Sequence, residues 1–222
     1  FALDYASKND VDLTIVDYSK EDVLHILETI VEATETFEPN IIRNSVFSYL
    51  LSKKIHNDGI KVALCGEGAD ELFCGYSEMR CNPKPKLMRQ QFLNDLHKTQ
   101  LQRVDRCSEQ FELETRVPFL DAHIIKMAMH LPQSHLVGSY EGGMMEKVIL
   151  RKLYELDFKL PDTIRTRSKV VFAEGAGMGD NSMSGPFFDY ANLIVSDSEY
   201  KDGLRRFEEF KPVSKEEIYY LS

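Results

Sequence analysis

Seven consecutive residues, Cys65-Gly66-Glu67-Gly68-Ala69-Asp70-Glu71, place two glycines and three carboxylates directly behind an apolar run, Ile60 to Cys65. Glycines let backbone amides approach a ligand closely, and the start of a helix carries partial positive charge suited to phosphate. Three carboxylates on the same turn would repel phosphate, so a phosphate-binding reading brings a bridging Mg²⁺ with it. The competing reading is a glycine-rich turn whose acidic residues stabilise a helix dipole. Spacing alone leaves both open.

Such a turn needs a strand in front of it and a helix behind. The run Ile60 to Cys65 contains VALC without polar alternation, as expected of a strand covered by helices on both faces of a parallel sheet. Ligands bind at the carboxyl ends of such strands. Upstream, VDLTIVD at 11–17 alternates weakly and is rich in β-branched side chains, which predicts a short strand. Ser19 and Asp22 have the spacing of a capping box, predicting a helix through about Thr34 with Val23, Leu24, Leu27, Ile30 and Val31 on its buried stripe. Pro39 opens a second helix, in which Ile42, Val46, Tyr49, Leu50 and Ile55 recur at helical steps before Gly59.

Residues 1–76 thus read as the α/β portion of the domain. Beyond them, apolar residues keep helical spacing near 86–98, 99–110, 121–130 and 144–156, with no strong strand signal. Residues 77–222 are therefore expected to be mainly helical, with Gly175, Gly177, Gly179 and Gly185 marking a loop over 173–188. The expected class is α/β: a parallel sheet with flanking helices and a helix-rich second half.

The bulk properties narrow the function classes. Hydrophobic residues make up 43% and charged residues 28% of the 222-residue chain, which suits a folded globular domain. A net charge of -9 argues against a broad basic surface for nucleic acid. No apolar run reaches the roughly 18 residues of a membrane span, and FALDYASKND lacks the basic-then-apolar plan of a signal peptide. A cytoplasmic location is expected. Cys65, Cys74, Cys81 and Cys107 match neither a zinc spacing nor a disulfide framework, so reduced, mostly buried thiols are expected. The chain opens on Phe1 rather than Met, which points to a processed or truncated polypeptide.

Residues 65–76, CGEGADELFCGY, resemble the SGEGADELFGGY signature of the glutamine-hydrolysing asparagine synthetase family, with ten of twelve positions identical. Two further stretches resemble that family's motifs in the same order: Glu114-Thr115-Arg116-Val117-Pro118-Phe119-Leu120-Asp121, then Glu146-Lys147 with Leu150-Arg151-Lys152. Leu160-Pro161, Arg167-Ser168-Lys169 and Phe172-Ala173-Glu174-Gly175 are similar to its LP...RxK..F..G segment, and Lys215-Glu216-Glu217 with Tyr219-Tyr220 to its closing stretch. Glu35-Thr36-Phe37 and Ile42-Arg43-Asn44-Ser45 resemble the family's helix that carries an arginine for the acyl intermediate.

The resemblance implies an adenine nucleotide alpha-hydrolase-like fold of the N-type ATP pyrophosphatase kind. It also implies a synthetase that adenylates the aspartate side chain with ATP and Mg²⁺, then lets ammonia displace AMP to give asparagine. By motif match, the Cys65 backbone, Gly66 and Gly68 would lie against the nucleotide, and Asp70 would hold Mg²⁺ and pyrophosphate. Glu67 would bind or deprotonate ammonia, Lys169 would neutralise charge on the phosphates, and Arg43 would contact the acyl-adenylate, with a solvent-facing or ion-paired helix residue as its alternative reading. Glu114, Arg116 and Asp121 are expected to form a buried ion-paired scaffold.

Cys65, Cys74 and Ala173 stand where the family commonly has Ser, Gly and Ser. Cys74 would then need a backbone conformation that glycine tolerates more easily. The family's SGGxDS loop and cysteine glutaminase domain are expected to precede residue 1, so ammonia would come from a glutaminase domain or chain. A sheet edge left by absent upstream strands invites self-association into a homo-oligomer, or pairing with the missing half. Two other readings remain: a related amidotransferase adenylating another carboxylate, and a non-catalytic or partner-dependent nucleotide-binding relative.

Overall fold

The computed structural model describes residues 1–157, 161–167, 169–170, 177–178 and 183–222. In chain order the first elements are α1 (Ala2–Asn9), α2 (Lys20–His25), α3 (Leu27–Thr34), α4 (Pro39–Asn57), β1 (Val62–Leu64), α5 (Ala69–Leu72), α6 (Ser77–Cys81), α7 (Pro85–Asp95) and α8 (Gln100–Glu109). They continue with β2 (Glu114–Arg116), α9 (Ala122–His130), α10 (Gln133–Leu136), β3 (Val137–Tyr140), β4 (Gly143–Glu146), α11 (Val148–Asp157) and α12 (Asp162–Arg165). The last three are α13 (Pro186–Ile194), α14 (Asp197–Arg206) and α15 (Lys215–Leu221). Two compact units result: 1–15 with 64–98 and 116–169, and 16–63 with 99–115 and 170–222.

In the second unit the capping box forms as expected. The Asp22 N–H donates to Ser19 Oγ at 3.1 Å, and the Asp22 carboxylate accepts from the Ser19 N–H at 2.9 Å. The helix expected through Thr34 is present as two pieces divided at Ile26. Val23, Leu27 and Ile30 of its stripe are buried, and they pack with Ile42 and Val46 of α4. That helix starts at Pro39 and is followed by Gly59 at φ +77, as the sequence predicts.

In the first unit the core gathers Leu72, Phe73, Met79, Ala128, Leu136 and Val137. Strands β3 and β4 form an antiparallel hairpin, with Val137 opposite Glu146 and Tyr140 opposite Gly143. This corrects the helix expected from residue 144. The two-residue connection puts Glu141 at φ 47 and Gly142 at φ 82, the pair of positive values that a type I′ turn needs. A short Met-rich strand behind such a turn carries little period-2 signal of its own.

Strands β1 and β2 pair in parallel: the Glu114 N–H donates to Lys61 O at 3.0 Å, and the Cys65 N–H to Arg116 O at 2.9 Å. The chain is therefore a helix-rich α/β protein with a small parallel sheet. Three expectations need correction. Residues 11–17 form no strand: Val11, Leu13 and Ile15 are exposed, and the segment has no sheet partner among the described residues to satisfy its backbone. The apolar run around β1 is not covered on both faces, since Leu64 is 71% exposed. Glu114, Arg116 and Asp121 are exposed rather than a buried scaffold. Asp121 instead caps α9, accepting the His123 N–H at 2.8 Å, a bond that satisfies an otherwise orphaned helix amide.

The expected loop over 173–188 and the motif residues Phe172 to Gly175 fall mainly outside the described residues. All four cysteines are free thiols; Cys74 and Cys107 are buried, Cys65 half-buried and Cys81 exposed. Among the described residues, no helix is long and apolar enough to cross a membrane.

Candidate functional site

Gly68 opens α5 at φ 88, and any Cβ placed there would stand 2.3 Å from Leu120 Cδ2. The turn therefore demands glycine on both backbone and packing grounds. Six residues later the helix closes with Cys74 at φ 55, and the Gly75 N–H donates to the Asp70 carbonyl at 2.7 Å. This bond from the second residue past the cap is the long bond of a Schellman closure, whose left-handed position is usually glycine. Cys74 occupies it, fully buried, in the conformation expected from its family counterpart. Burial pushes its thiol pKa up to about 11.

The short helix thus fixes the Asp70 backbone from both ends. Its carboxylate receives two ammonium groups: Lys147 Nζ lies 2.7 Å from Oδ1 as an ion pair, and Lys169 donates to Oδ2 at 3.0 Å. Burial alone would raise the Asp70 pKa. The two lysines outweigh it and hold the carboxyl below its ordinary value. Gly75 is the floor of this arrangement, because a Cβ there would meet Asp70 Oδ1 at 2.0 Å and Lys147 Cε at 2.2 Å.

Tyr76 closes one side. Its ring stacks on Phe92 at 4.7 Å between centroids, its hydroxyl donates to the buried Glu71 carboxylate, and Lys169 Nζ lies 5.9 Å from the ring centroid. Burial first, then the Glu71 charge, raises the Tyr76 pKa far above the ordinary phenol value, so the hydroxyl stays a donor. Glu67 is half-buried on the preceding turn, and Gly66 faces open space among the described residues.

Of the residues singled out by sequence, Cys65, Gly66, Glu67, Gly68, Asp70 and Lys169 belong to the first unit, and Asp70 and Lys169 are in direct contact. The Cys65 N–H is committed to the sheet, donating to the Arg116 carbonyl. Arg43 belongs to the second unit. There it forms a buried pair with Glu216, with Nε 3.1 Å from Oε1 and Nη2 2.5 Å from Oε2, while the Tyr220 hydroxyl donates to Oε1 at 2.7 Å. This is the ion-paired alternative for Arg43.

Sequence reasoning passed over Lys147, Gly75 and Tyr76, although all three lie within the motifs that carried the resemblance. Nothing in linear spacing shows that a lysine 77 positions beyond Asp70 returns to it. As for a metal, no group of three or more His, Cys, Asp or Glu side chains is gathered to hold one among the described residues. The Asp70 carboxylate fits a Mg²⁺ ion held by one protein carboxylate together with phosphate oxygens and water.

The family model for asparagine synthase matches residues 1–92 and 82–220. Among curated proteins, asparagine synthetase [glutamine-hydrolyzing] 1 of Arabidopsis thaliana is 34% identical over 209 residues, covering 91% of this chain and 35% of that protein. Asparagine synthetase B of Escherichia coli is 32% identical over 209 residues, covering 92% and 36%. A probable asparagine synthetase of Schizosaccharomyces pombe is 31% identical over 212 residues, covering 91% and 37%. The chain spans about a third of the length of these relatives.

Proposed function

The chain belongs to the asparagine synthase family, and from that premise we propose that it is the greater part of an ATP-dependent amide-forming ligase domain. In this reading the aspartate side-chain carboxylate attacks the α-phosphorus of ATP, giving β-aspartyl-adenylate and pyrophosphate. Ammonia then attacks the activated carbonyl, loses a proton and displaces AMP, leaving asparagine. The small parallel sheet is read as part of an adenine nucleotide alpha-hydrolase-like core, with Gly66, Gly68 and the Cys65 backbone along the nucleotide.

The observation that carries the reading is the contact of two ammonium groups with one carboxylate at the turn behind β1. Lys147 and Lys169 are the cations for pyrophosphate and for the charge that grows on the α-phosphate during attack. Asp70, together with the nucleotide's own oxygens, would hold Mg²⁺, which supplies charge neutralisation of the leaving pyrophosphate when bound. Glu67 takes the ammonia proton or stabilises the ammonium. Arg43, carried by resemblance alone, is assigned to the acyl-adenylate. Ammonia is supplied by a glutaminase domain or chain, in keeping with the glutamine hydrolysis in the relatives' names.

The test is aspartate-dependent exchange of pyrophosphate into ATP by the intact protein. Lys169→Ala removes one electrostatic contact to the developing charge, a loss of about 3 to 4 kcal/mol for such a group. Exchange within about two-fold of the parent rate would show that Lys169 has no part in adenylation, because that contact is worth hundreds-fold in rate.

A further inference from the structure

Lys147 and Lys169 arrive at Asp70 from separate segments, and one side chain bonds to residues just ahead of each. Arg151, on the first turn of α11, donates through Nε to the Glu146 carbonyl at 2.8 Å and through Nη2 to Glu146 Oε1 at 2.7 Å. The same guanidinium reaches the 165–167 segment, with Nη1 donating to the Arg165 carbonyl and Nη2 to the Arg167 carbonyl at 3.1 Å. Its backbone N–H donates to the Lys147 carbonyl at 3.1 Å. One fork therefore holds the residue before Lys147 and the chain two residues ahead of Lys169, while the Arg151 backbone adds the bond to the Lys147 carbonyl.

We infer that Arg151, with the buried Glu146 beneath it, is a positioning residue that sets both lysines on Asp70. The inference rests on the ligase reading for its functional consequence and on geometry alone for its structural one. Lys147 sits at φ 54, a left-handed conformation that is unfavourable for a non-glycine residue and persists where surroundings impose it. The bond from Arg151 Nε to the Glu146 carbonyl, on the peptide that enters Lys147, is such a constraint. The guanidinium suits this task because it is planar and presents five N–H donors in a fixed fork; an ammonium has neither property. Glu146 is 1% exposed, so its carboxylate requires cations, and Arg151 and Arg80 supply them, the latter 3.8 Å from Oε2.

The test compares Arg151→Met with the parent in the intact protein, using two readouts. The first is independent of catalysis: brief acetylation of lysine amines followed by mass spectrometry. Acetylation of Lys147 and Lys169 should quicken several-fold in the variant as both leave Asp70, while the exposed Lys152 on the same helix serves as the internal reference. The second is pyrophosphate exchange, which should fall about 10²-fold, as expected when reacting groups are misplaced by about 1 Å. Because Arg151 acts through the lysines, its loss in a Lys169→Ala background should cost far less than in the parent.

Unchanged acetylation of both lysines, or equal costs in the two backgrounds, overturns the inference. Quickened acetylation with unimpaired exchange in both Arg151→Met and Lys169→Ala leaves the strut standing and rejects the ligase reading. Should Arg151→Met fail to fold, Arg151→Lys keeps the charge beside Glu146, loses the fork, and is expected to give the same pattern.

Discussion

Two glycines nine residues apart should respond to the same substitution in opposite ways. At Gly75, an added methyl carbon would lie 2.0 Å from Asp70 Oδ1 and 2.2 Å from Lys147 Cε. Reaching the 3.4 Å of ordinary contact requires Asp70 to retreat by about 1.4 Å. Gly75 has no positive φ, so the backbone itself tolerates alanine and the whole effect is steric. Overpacking of this kind costs about 1–3 kcal/mol. At Gly66 nothing among the described residues lies within 4 Å of the added carbon, and φ is again not positive. Alanine there should leave stability unchanged or raise it by about 0.4–1 kcal/mol, because it restricts the unfolded chain. If the nucleotide runs along Gly66, however, the same methyl should weaken use of ATP by about 10- to 200-fold, the range for one misplaced carbon in a pocket. Urea unfolding of both variants, paired with the ATP dependence of pyrophosphate exchange, separates the two effects. A Gly66→Ala protein as destabilised as Gly75→Ala, or one with unaltered ATP dependence, would refute the reasoning.

Further outcomes follow from the same geometry. Glu67→Gln keeps the size of the side chain and removes its basicity, so pyrophosphate exchange should survive while ammonia-dependent amide formation falls about 10²- to 10⁴-fold; equal loss of both would move Glu67 to ATP or metal binding. Asp70 has a depressed folded pKa, so its ion pairs contribute stability above the unfolded value near 4 and lose it as pH falls through the folded value. Asp70→Asn should therefore be less stable than the parent at neutral pH, with the gap closing below about pH 4 in urea titrations; a gap constant down to the acid limb contradicts the pairing. Arg43→Met strands Glu216 in a pair whose side chains are 3% and 1% exposed, and unfolding free energy should drop by about 3–5 kcal/mol. A drop under about 1 kcal/mol, the worth of a surface pair, would show the pair to be solvated.

What was legible in the sequence was local. The Ser19 cap, the stripe of Val23, Leu27 and Ile30, and the start of α4 at Pro39 each depend on residues within a few positions of one another, and each is present. Cys74 was legible as a residue in a glycine's place, because a Schellman closure fixes its own backbone requirement. The strand at 11–17 failed for the converse reason: β-branched alternation states a preference, and only a partner strand converts it into structure. The β3–β4 hairpin was missed because Glu141 takes the position where Asn or Asp would have announced the turn. The buried scaffold expected of Glu114, Arg116 and Asp121 failed because all three stand at the surface, and the free amides at the start of α9 gave Asp121 a near donor.

The site itself was half legible, and the division has a physical cause. Motif order identified Asp70 and Lys169 but could not show that they touch, nor that Lys147 joins them. An ammonium drawn partly out of water without a counter-ion is costly, and neutralises itself or finds a partner. In the proposed ligase reading, two lysines kept ready for phosphate would be held against a carboxylate until the phosphate arrives, and Asp70 is the carboxylate they contact. In that reading Asp70 would hold Mg²⁺ and the lysines would face the nucleotide's phosphates, so that each group would keep a charged partner. The resting contacts would set the starting positions. The Gly75 floor and the Arg151 fork, neither of which touches a substrate in this reading, consequently bear on the rate as directly as the charges they hold.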